Sequence, residues 1–564
     1  ADTTMTPEQQ RDSLRSVSDL KFSALMSKTV PDHLVITADY LIYSIDHAFE
    51  QWRTRPWAKH LSYAEFRDWL LPYKNVDLQS FDAWRDTLSA NFCDSISRVP
   101  AYDYKRLSVY GAIDIVRNEI HTLRTPRVLW EERSGFKLLS AATLNHMTYG
   151  SCYDYVNMGV LTFRSLGIPA VIDQVPVWGR NSDGHSWFTF PSDRGIETPT
   201  MNSLIMGAGM GFYPYERIPK VFRTTYAINR DRVKYLNTAK YKHKFDVCVE
   251  DVTHKYNRTS DLQINVRKDI GLKDKYVYIA MYVNGAGPQT HILDFGVMRH
   301  GKACFSKIGR NMLYVALGYD GNGLVEISDP FILRKDGRVD YLSANAGPVT
   351  SADIRRKYYQ NNNVVYMRSR LRGAQIQASD RADFKDCDTL FTIENIYIPD
   401  KLPIDTAKAY RYWRYMSPDD SYGSIAEISF FDAAGNLLAG KHIACAKATH
   451  DEMERAYDGN LLSNFEADST SGIWVGMDFG SRKKVGGIRV IPRSDDNDVC
   501  VGNEYELLCF DARRWTSLGY RKADSNVLHY DNVPRGALLW LRNYTRGHDE
   551  RPFIIKENGT IEWW

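Results

Sequence analysis

The apolar residues of this chain change their period once, and that change limits the folds open to it. From about Pro7 to Gly150 they recur at helical spacing. In "FRDWLLPYKNVDLQSFDAWRDTLSANF", Phe66, Leu70, Phe81, Trp84 and Leu88 mark helix faces broken at Pro72. From about Ala170, just past Gly167-Ile168-Pro169, apolar and polar residues alternate and Gly and Asn turns become frequent. "YVYIAMYVNG", "MLYVALGYDGNG", "YRYWRYMSP", "IAEISFFDAAGN", "GGIRVIPR" and "YELLCFDARR" each read as a strand running into a turn. The expectation is a multidomain α+β protein, helical first and all-β afterwards. At 564 residues the chain is too long for one core, so roughly three to five domains are expected.

Charge removes two classes of partner. The 72 basic and 69 acidic residues are interspersed and leave a net charge of +3, so no basic face marks a nucleic-acid or anionic-membrane binder. No apolar run approaches the roughly 18 residues of a membrane span. Eight cysteines stand apart with no CxxC pair, which argues against a disulfide framework and against a zinc site. The polar opening "ADTTMTPEQQ", without an initiator methionine, is what a processed chain shows.

One cysteine and one histidine stand in a chemically suggestive order. Cys152 follows Gly150 and Ser151, a residue suited to cap a helix. Behind it Tyr153, Val156, Val160 and Phe163 recur as a helix face. Gly167 and Pro169 then stop the helix. Cys152 is thus expected in a first turn, where unpaired N–H groups and the dipole favour a thiolate. "AVIDQVPVW" reads as a strand, "GRNSDG" as a turn, and "HSWFTF" as a second strand opened by His185. Folded over the helix, that hairpin would bring an imidazole to the thiol, the pairing that nucleophilic catalysis needs. An acid beyond it would orient the ring, and "SDRGIETPTMN" offers Asp193 and Glu197. The backbone N–H of Cys152 is the default oxyanion donor. Singly, such a cysteine or histidine is more often ordinary packing. Their combination, with the order of elements between them, is the more specific signal.

"GSCYDYVNMGVLTFRSLGIPAVID" followed by "GHSW" resembles the transglutaminase-like superfamily of papain-type cysteine enzymes, over residues 105–230. The matching positions are Cys152, Arg164 to Ala170, His185 and Trp187. The resemblance implies a papain-like core with Cys152 as nucleophile and His185 as general base. The family places an Asp on the next strand, but position 200 here is Thr. Glu197 is the nearest acid on a strand-like segment and takes the third role in this reading. Asp193 looks like part of a turn, and Asn202 offers the amide that papain relatives use.

"AYDGNLLSNFEADSTSGIWVGMDFGSRKKVGGIRVIPR" resembles the discoidin, or coagulation factor 5/8 type C, family of galactose-binding-like jelly rolls. The likeness rests on the turn Asp458 to Asn460, on Trp474 to Gly480 and on "IRVIPR". "VPRGALLWLRNYTRG" fits the family's late strands. Residues 408–431 look like the closing strands of another such module. The expected order is therefore a helical region over 1–104, the transglutaminase-like core over 105–230, and an immunoglobulin-like sandwich over 231–345. A reduced galactose-binding-like module over 346–445 and a discoidin-like module over 446–564 would follow. The likeness implies sugar binding in loops, with Tyr410, Tyr412, Trp413 and Tyr415 as aromatic candidates, although strand aromatics more often pack across strands. It also allows a structural calcium at Asp458-Gly459-Asn460. The acidic run Ser494 to Asp498 reads as a solvated turn with calcium as its alternative. No other cofactor is expected.

Together these features suggest a secreted, periplasmic or cell-surface cysteine hydrolase, similar in layout to multidomain secreted proteins of Bacteroidetes. Its substrate would be a peptide, glycoprotein or glycan conjugate. The alternatives are a cross-linking transglutaminase and an inactive glycan-binding scaffold. No nucleic-acid partner and no transmembrane segment are expected.

Overall fold

The break at Pro72 organises the helical region. The computed structural model describes Gln9 and residues 30–77, 79, 81–124, 127–128, 149–150, 152–180, 182–192, 195–197, 217–344, 348–360, 362–395, 401–404, 407–511 and 513–564. Helix α1 (Ala38–Thr54) starts on Thr37, whose side chain accepts from the Tyr40 N–H. Helix α2 (Tyr63–Trp69) starts on a reciprocal capping box between Ser62 and Glu65. Beyond it the chain turns at Pro72 and leaves carbonyls with no helical partner. Arg85, fully buried on α3 (Trp84–Ser97), satisfies them, donating to the carbonyls of Leu70, Leu71 and Pro72 at 3.0–3.2 Å. Two further helices follow, α4 (Ala101–Tyr104) and α5 (Val109–Arg124).

A short parallel pair, β1 (Arg127–Val128) and β2 (Tyr149–Gly150), precedes α6 (Cys152–Ser165). Helix α6 is buried on nearly every side. Its exit follows the Gly-capped pattern: Gly167 has φ 75°, and the Ile168 N–H donates to the Phe163 carbonyl at 2.8 Å. Arg164 then ties the helix to the next strand, its Nε donating to the Ala170 carbonyl at 2.9 Å.

Five antiparallel strands carry the helix. In spatial order they are β5 (Gly195–Glu197), β4 (His185–Ser192), β3 (Val171–Val175), β6 (Phe222–Thr224) and β7 (Val249–Asp251). Ile172, Phe188 and Phe190 point toward α6 and join one core with Phe66, Leu88 and Val116. The border expected at 104/105 therefore runs through a single core, because helices α1 to α3 bury their stripes against α5 and α6. The border expected at 230/231 also moves. Helix α7 (Arg230–Thr238) and β7 follow it, and β7 completes the core sheet.

The next section was expected as an immunoglobulin-like sandwich. It forms one hydrogen-bonded path of strands: β15 (Val339–Tyr341), β14 (Phe331–Leu333), β12 (Met312–Tyr319), β9 (Tyr276–Val283), β10 (Gln289–Arg299), β11 (Lys302–Gly309) and β8 (Thr259–Asn265). Strand β13 (Leu324–Glu326) pairs beside β12. Buried Lys220 links the core sheet to it, meeting Asp251, Asp294 at 3.2 Å and the Ser306 carbonyl at 2.9 Å.

The chain divides into two compact units. The first runs to Met281 and resumes over Thr290–Tyr341, and the second comprises Tyr282–Gln289 and Leu342–Trp564. The second unit holds two sandwiches. One sets β18 (Asp388–Thr392), β17 (Gln375–Ser379), β20 (Tyr410–Met416), β24 (Trp474–Lys483) and β22 (Lys441–Ala444) against a second sheet. That sheet is β19 (Leu402–Pro403), β25 (Gly487–Pro492), β21 (Gly423–Phe431) and β23 (Phe465–Glu466). Ile376, Trp413, Tyr415, Ile428, Phe430, Val475 and Ile488 fill the space between. The other sandwich has the order β27 (Arg514–Lys522), β26 (Glu504–Asp511), β29 (Leu539–Asn543), β30 (Pro552–Ile555) and β31 (Ile561–Trp563). It shares its core with the pair β16 (Val349–Ile354) and β28 (Leu528–Pro534).

These pairings correct the expected tandem. Strands on either side of 445/446 pair within one sandwich, β20 and β22 both bonding to β24. The later sandwich in turn takes its β16 from the start of the unit. The protein is thus a mixed α+β multidomain chain with β-sandwich content.

Candidate active site

Cys152 opens α6, as the spacing predicts, while Ser151, its expected cap, lies outside the described residues. The thiol does not have the ionisation expected of it. Burial pushes it above the usual thiol value, and this outweighs the N–H groups of Ser186 and Tyr153 that favour the thiolate. The Ser186 contact is informative, because Ser186 directly follows His185 on β4. Helix start and strand start therefore meet within one residue of each other. Among the described residues no hydrogen bond joins the thiol to the imidazole.

His185 pairs with Val175 across β3 and β4 and lies on the sheet face opposite α6. Its ring is stacked on Trp178 at 6.2 Å and 27°, and lies 6.0 Å from Trp187 at 30°. Burial in this aromatic slot pushes the imidazole down to about 4 and keeps it neutral near pH 7. Neutral imidazole is the form a general base requires.

Trp187 is itself held. Its Nε1 donates to Tyr256 Oη at 3.0 Å, and that hydroxyl donates to Asp173 Oδ2 at 2.5 Å. Arg223 grips both oxygens of Asp173 at 2.8 and 2.7 Å, and its guanidinium lies 5.1 Å from the Trp69 ring. Sequence reasoning missed this network. Asp173, an acid inside the apolar run "AVIDQVPV", was its one local signal, since Arg223 and Tyr256 arrive from distant segments.

The third member of the site is not brought into view. Glu197 occupies β5 with its backbone opposite Phe190, but its side chain lies outside the described residues, as do Asp193 and Asn202.

The carboxy-terminal candidates fare differently. Trp413 and Tyr415 are core residues, Tyr410 is buried and Tyr412 is half-buried, so packing accounts for this strand. The turn at Asp458 is tied down by hydrogen bonds within the protein, with Glu427 beside it. The Asp458 carboxylate accepts from the Asn460 N–H at 2.8 Å and from Ser463 Oγ at 3.0 and 2.8 Å, and Arg546 donates to the Gly459 carbonyl at 2.7 Å. The acidic run is an ion-pair junction instead of a solvated turn. Asp495 and Asp498 each meet Arg356 at 2.6 Å, Asp498 also meets Arg368, and Asp496 meets Arg546 at 3.1 Å and His548 at 2.9 Å. Among the described residues no cluster of three His, Cys, Asp or Glu side chains is placed to hold a metal. No described helix is long and apolar enough to cross a membrane.

Compared with known protein families, curated proteins and solved structures, the chain matches none.

Proposed function

We propose that this chain is a cysteine-dependent hydrolase, a peptidase or amidase of transglutaminase-like type, acting on peptide or glycoconjugate substrates outside the cytoplasm. The observation that supports it is the meeting of the α6 start with the β4 start, Cys152 against the Ser186 N–H with His185 adjoining. In this reading His185, kept neutral, leaves its aromatic slot on the far sheet face and takes the thiol proton as Cys152 attacks an acyl carbon. It then returns the proton to the departing amine, and water releases the acyl group. The carboxy-terminal sandwiches would bind glycan.

A scaffold without catalysis is the second reading, favoured by one observation: the thiol is raised and the imidazole lowered, so neither is charged at rest. The full chain, offered amide and peptide substrates with and without a primary amine, separates these readings. Release to water supports the hydrolase, and amine incorporation identifies a transglutaminase. Loss of either in Cys152→Ala and His185→Ala places the chemistry here. Turnover surviving in Cys152→Ala, or absent from the parent chain, sinks the enzyme assignment.

A further inference from the structure

The second sandwich turns one end of a sheet face to solvent, and the side chains there are arranged as a prepared surface. On β26, Tyr505 and Leu507 point into the core, so Glu504 and Glu506 point outward. Register sets Glu506 opposite Tyr520 and Glu504 opposite Lys522 on β27. It sets Glu506 opposite Arg542 on β29, and the Tyr544 N–H just beyond donates to the Glu504 carbonyl at 2.9 Å. Tyr520 and Tyr544 are 50% and 51% exposed. Their rings lie side by side, 6.0 Å apart and inclined by 35°.

Both rings are fixed by their phenol ends. Tyr520 Oη donates to Glu504 Oε2 and Tyr544 Oη to Glu506 Oε2, each at 2.5 Å. The guanidinium of Arg542 lies 5.2 Å from the Tyr544 ring and is anchored on buried Glu550 at 3.1 Å. Single exposed aromatics are ordinary. Two adjacent rings held by charged partners have lost their freedom before any ligand arrives, which lowers the entropic cost of binding.

The chemistry of the face selects its occupant. Ring faces attract the polarised C–H surfaces of sugars, while carboxylate, ammonium and guanidinium groups beside them can exchange hydrogen bonds with hydroxyls. Glu504 and Glu506 lie opposite Lys522 and Arg542 in the ladder, and Arg542 is already held by Glu550, so an anionic sugar is disfavoured and an uncharged one fits. A protein partner would have to desolvate all four charges. We propose that Tyr520, Tyr544, Glu504, Glu506 and Arg542 form a binding face for a neutral glycan chain, adjacent sugar units lying on the two rings. This rests on the glycan-binding part of the proposed function and puts the site where a sheet face meets the start of the loop after β29.

The test uses the full chain and an array of neutral oligosaccharides, the best binder then being titrated by calorimetry. The double replacement Tyr520→Ala and Tyr544→Ala should weaken binding by about tenfold or more, as loss of central aromatic anchors does. Tyr520→Phe with Tyr544→Phe, which keeps the rings, should retain most of it. Bound oligosaccharide should also protect both tyrosines of the unmodified protein from nitration by tetranitromethane, a readout independent of any variant. Binding that survives the alanine pair, without protection of these tyrosines, overturns the site while leaving glycan binding intact. Failure of the parent chain to bind any oligosaccharide overturns both. A drop in self-association in the alanine pair, with glycan affinity unchanged, reassigns the face to contact between copies.

Discussion

His185 gives the site a signature in stability as well as in chemistry. Its imidazole titrates at about 4 in the fold, against roughly 6.5 in an unfolded chain. Between those values the unfolded state binds more protons, so the stability contributed is complete above about pH 6.5 and is lost as pH falls toward 4. The shift corresponds to at most about 3 kcal/mol. Urea unfolding at pH 7.5 and 4.5 should therefore show the parent losing roughly 2 kcal/mol more on acidification than His185→Gln. Equal losses would mean that the ring is not buried in its aromatic slot. Cys152 titrates in the opposite sense. Its raised thiol should alkylate slowly with iodoacetamide at pH 7 and fast only in alkaline solution. A rate already at plateau below pH 8 would show the surrounding N–H groups prevailing over burial. The positions of Cys152 and His185 on their elements were legible in sequence, being set by local periodicity. Their ionisation was not, because it depends on burial by Trp178, Trp187 and the helices behind them.

At the scale of elements, the exit of α6 is the sensitive point. Gly167 has φ 75°, and a Cβ added there would meet Arg55 Cγ at 2.9 Å and Gln51 Cβ at 3.0 Å. Gly167→Ala should cost about 1–2 kcal/mol for the left-handed backbone alone. The urea midpoint should fall accordingly, with the denaturant slope unchanged. A variant as stable as the parent would show that the exit rearranges freely. Helix stops such as this one were readable because glycine and proline act within a turn. The task of Arg85 was not readable: its acceptors are the carbonyls of Leu70, Leu71 and Pro72, and carbonyls carry no sequence signal. Nor were the partners of Asp173, which the fold delivers from Arg223 and Tyr256.

Across the whole molecule, local reading found strands but misplaced their allegiances. Alternation marks a strand without saying which neighbour it bonds, so the break at 445/446 divided β22 from β24, which pair. Expressed alone, residues 446–564 should fail to fold, since the fragment lacks β16 and carries only part of the first sandwich. Residues 342–564 should melt cooperatively and show dispersed amide resonances. A sharp melt from the shorter piece would overturn the pairing of β16 with β28. That pairing also sets an order of events in time. Ser351 and Asp531, joined across those strands, stand 180 residues apart in the chain. A ribosome finishes the strand at 349–354 long before its mate exists, so the strand must wait. Closing so long a loop through disordered chain is slow. If the enclosed sandwich condenses first, its compact body shortens the gap. Pulse-labelled hydrogen exchange during refolding should then protect β20 and β24 before β16 and β28. The later-synthesised sandwich is in this sense a clasp that shuts around a bead already formed.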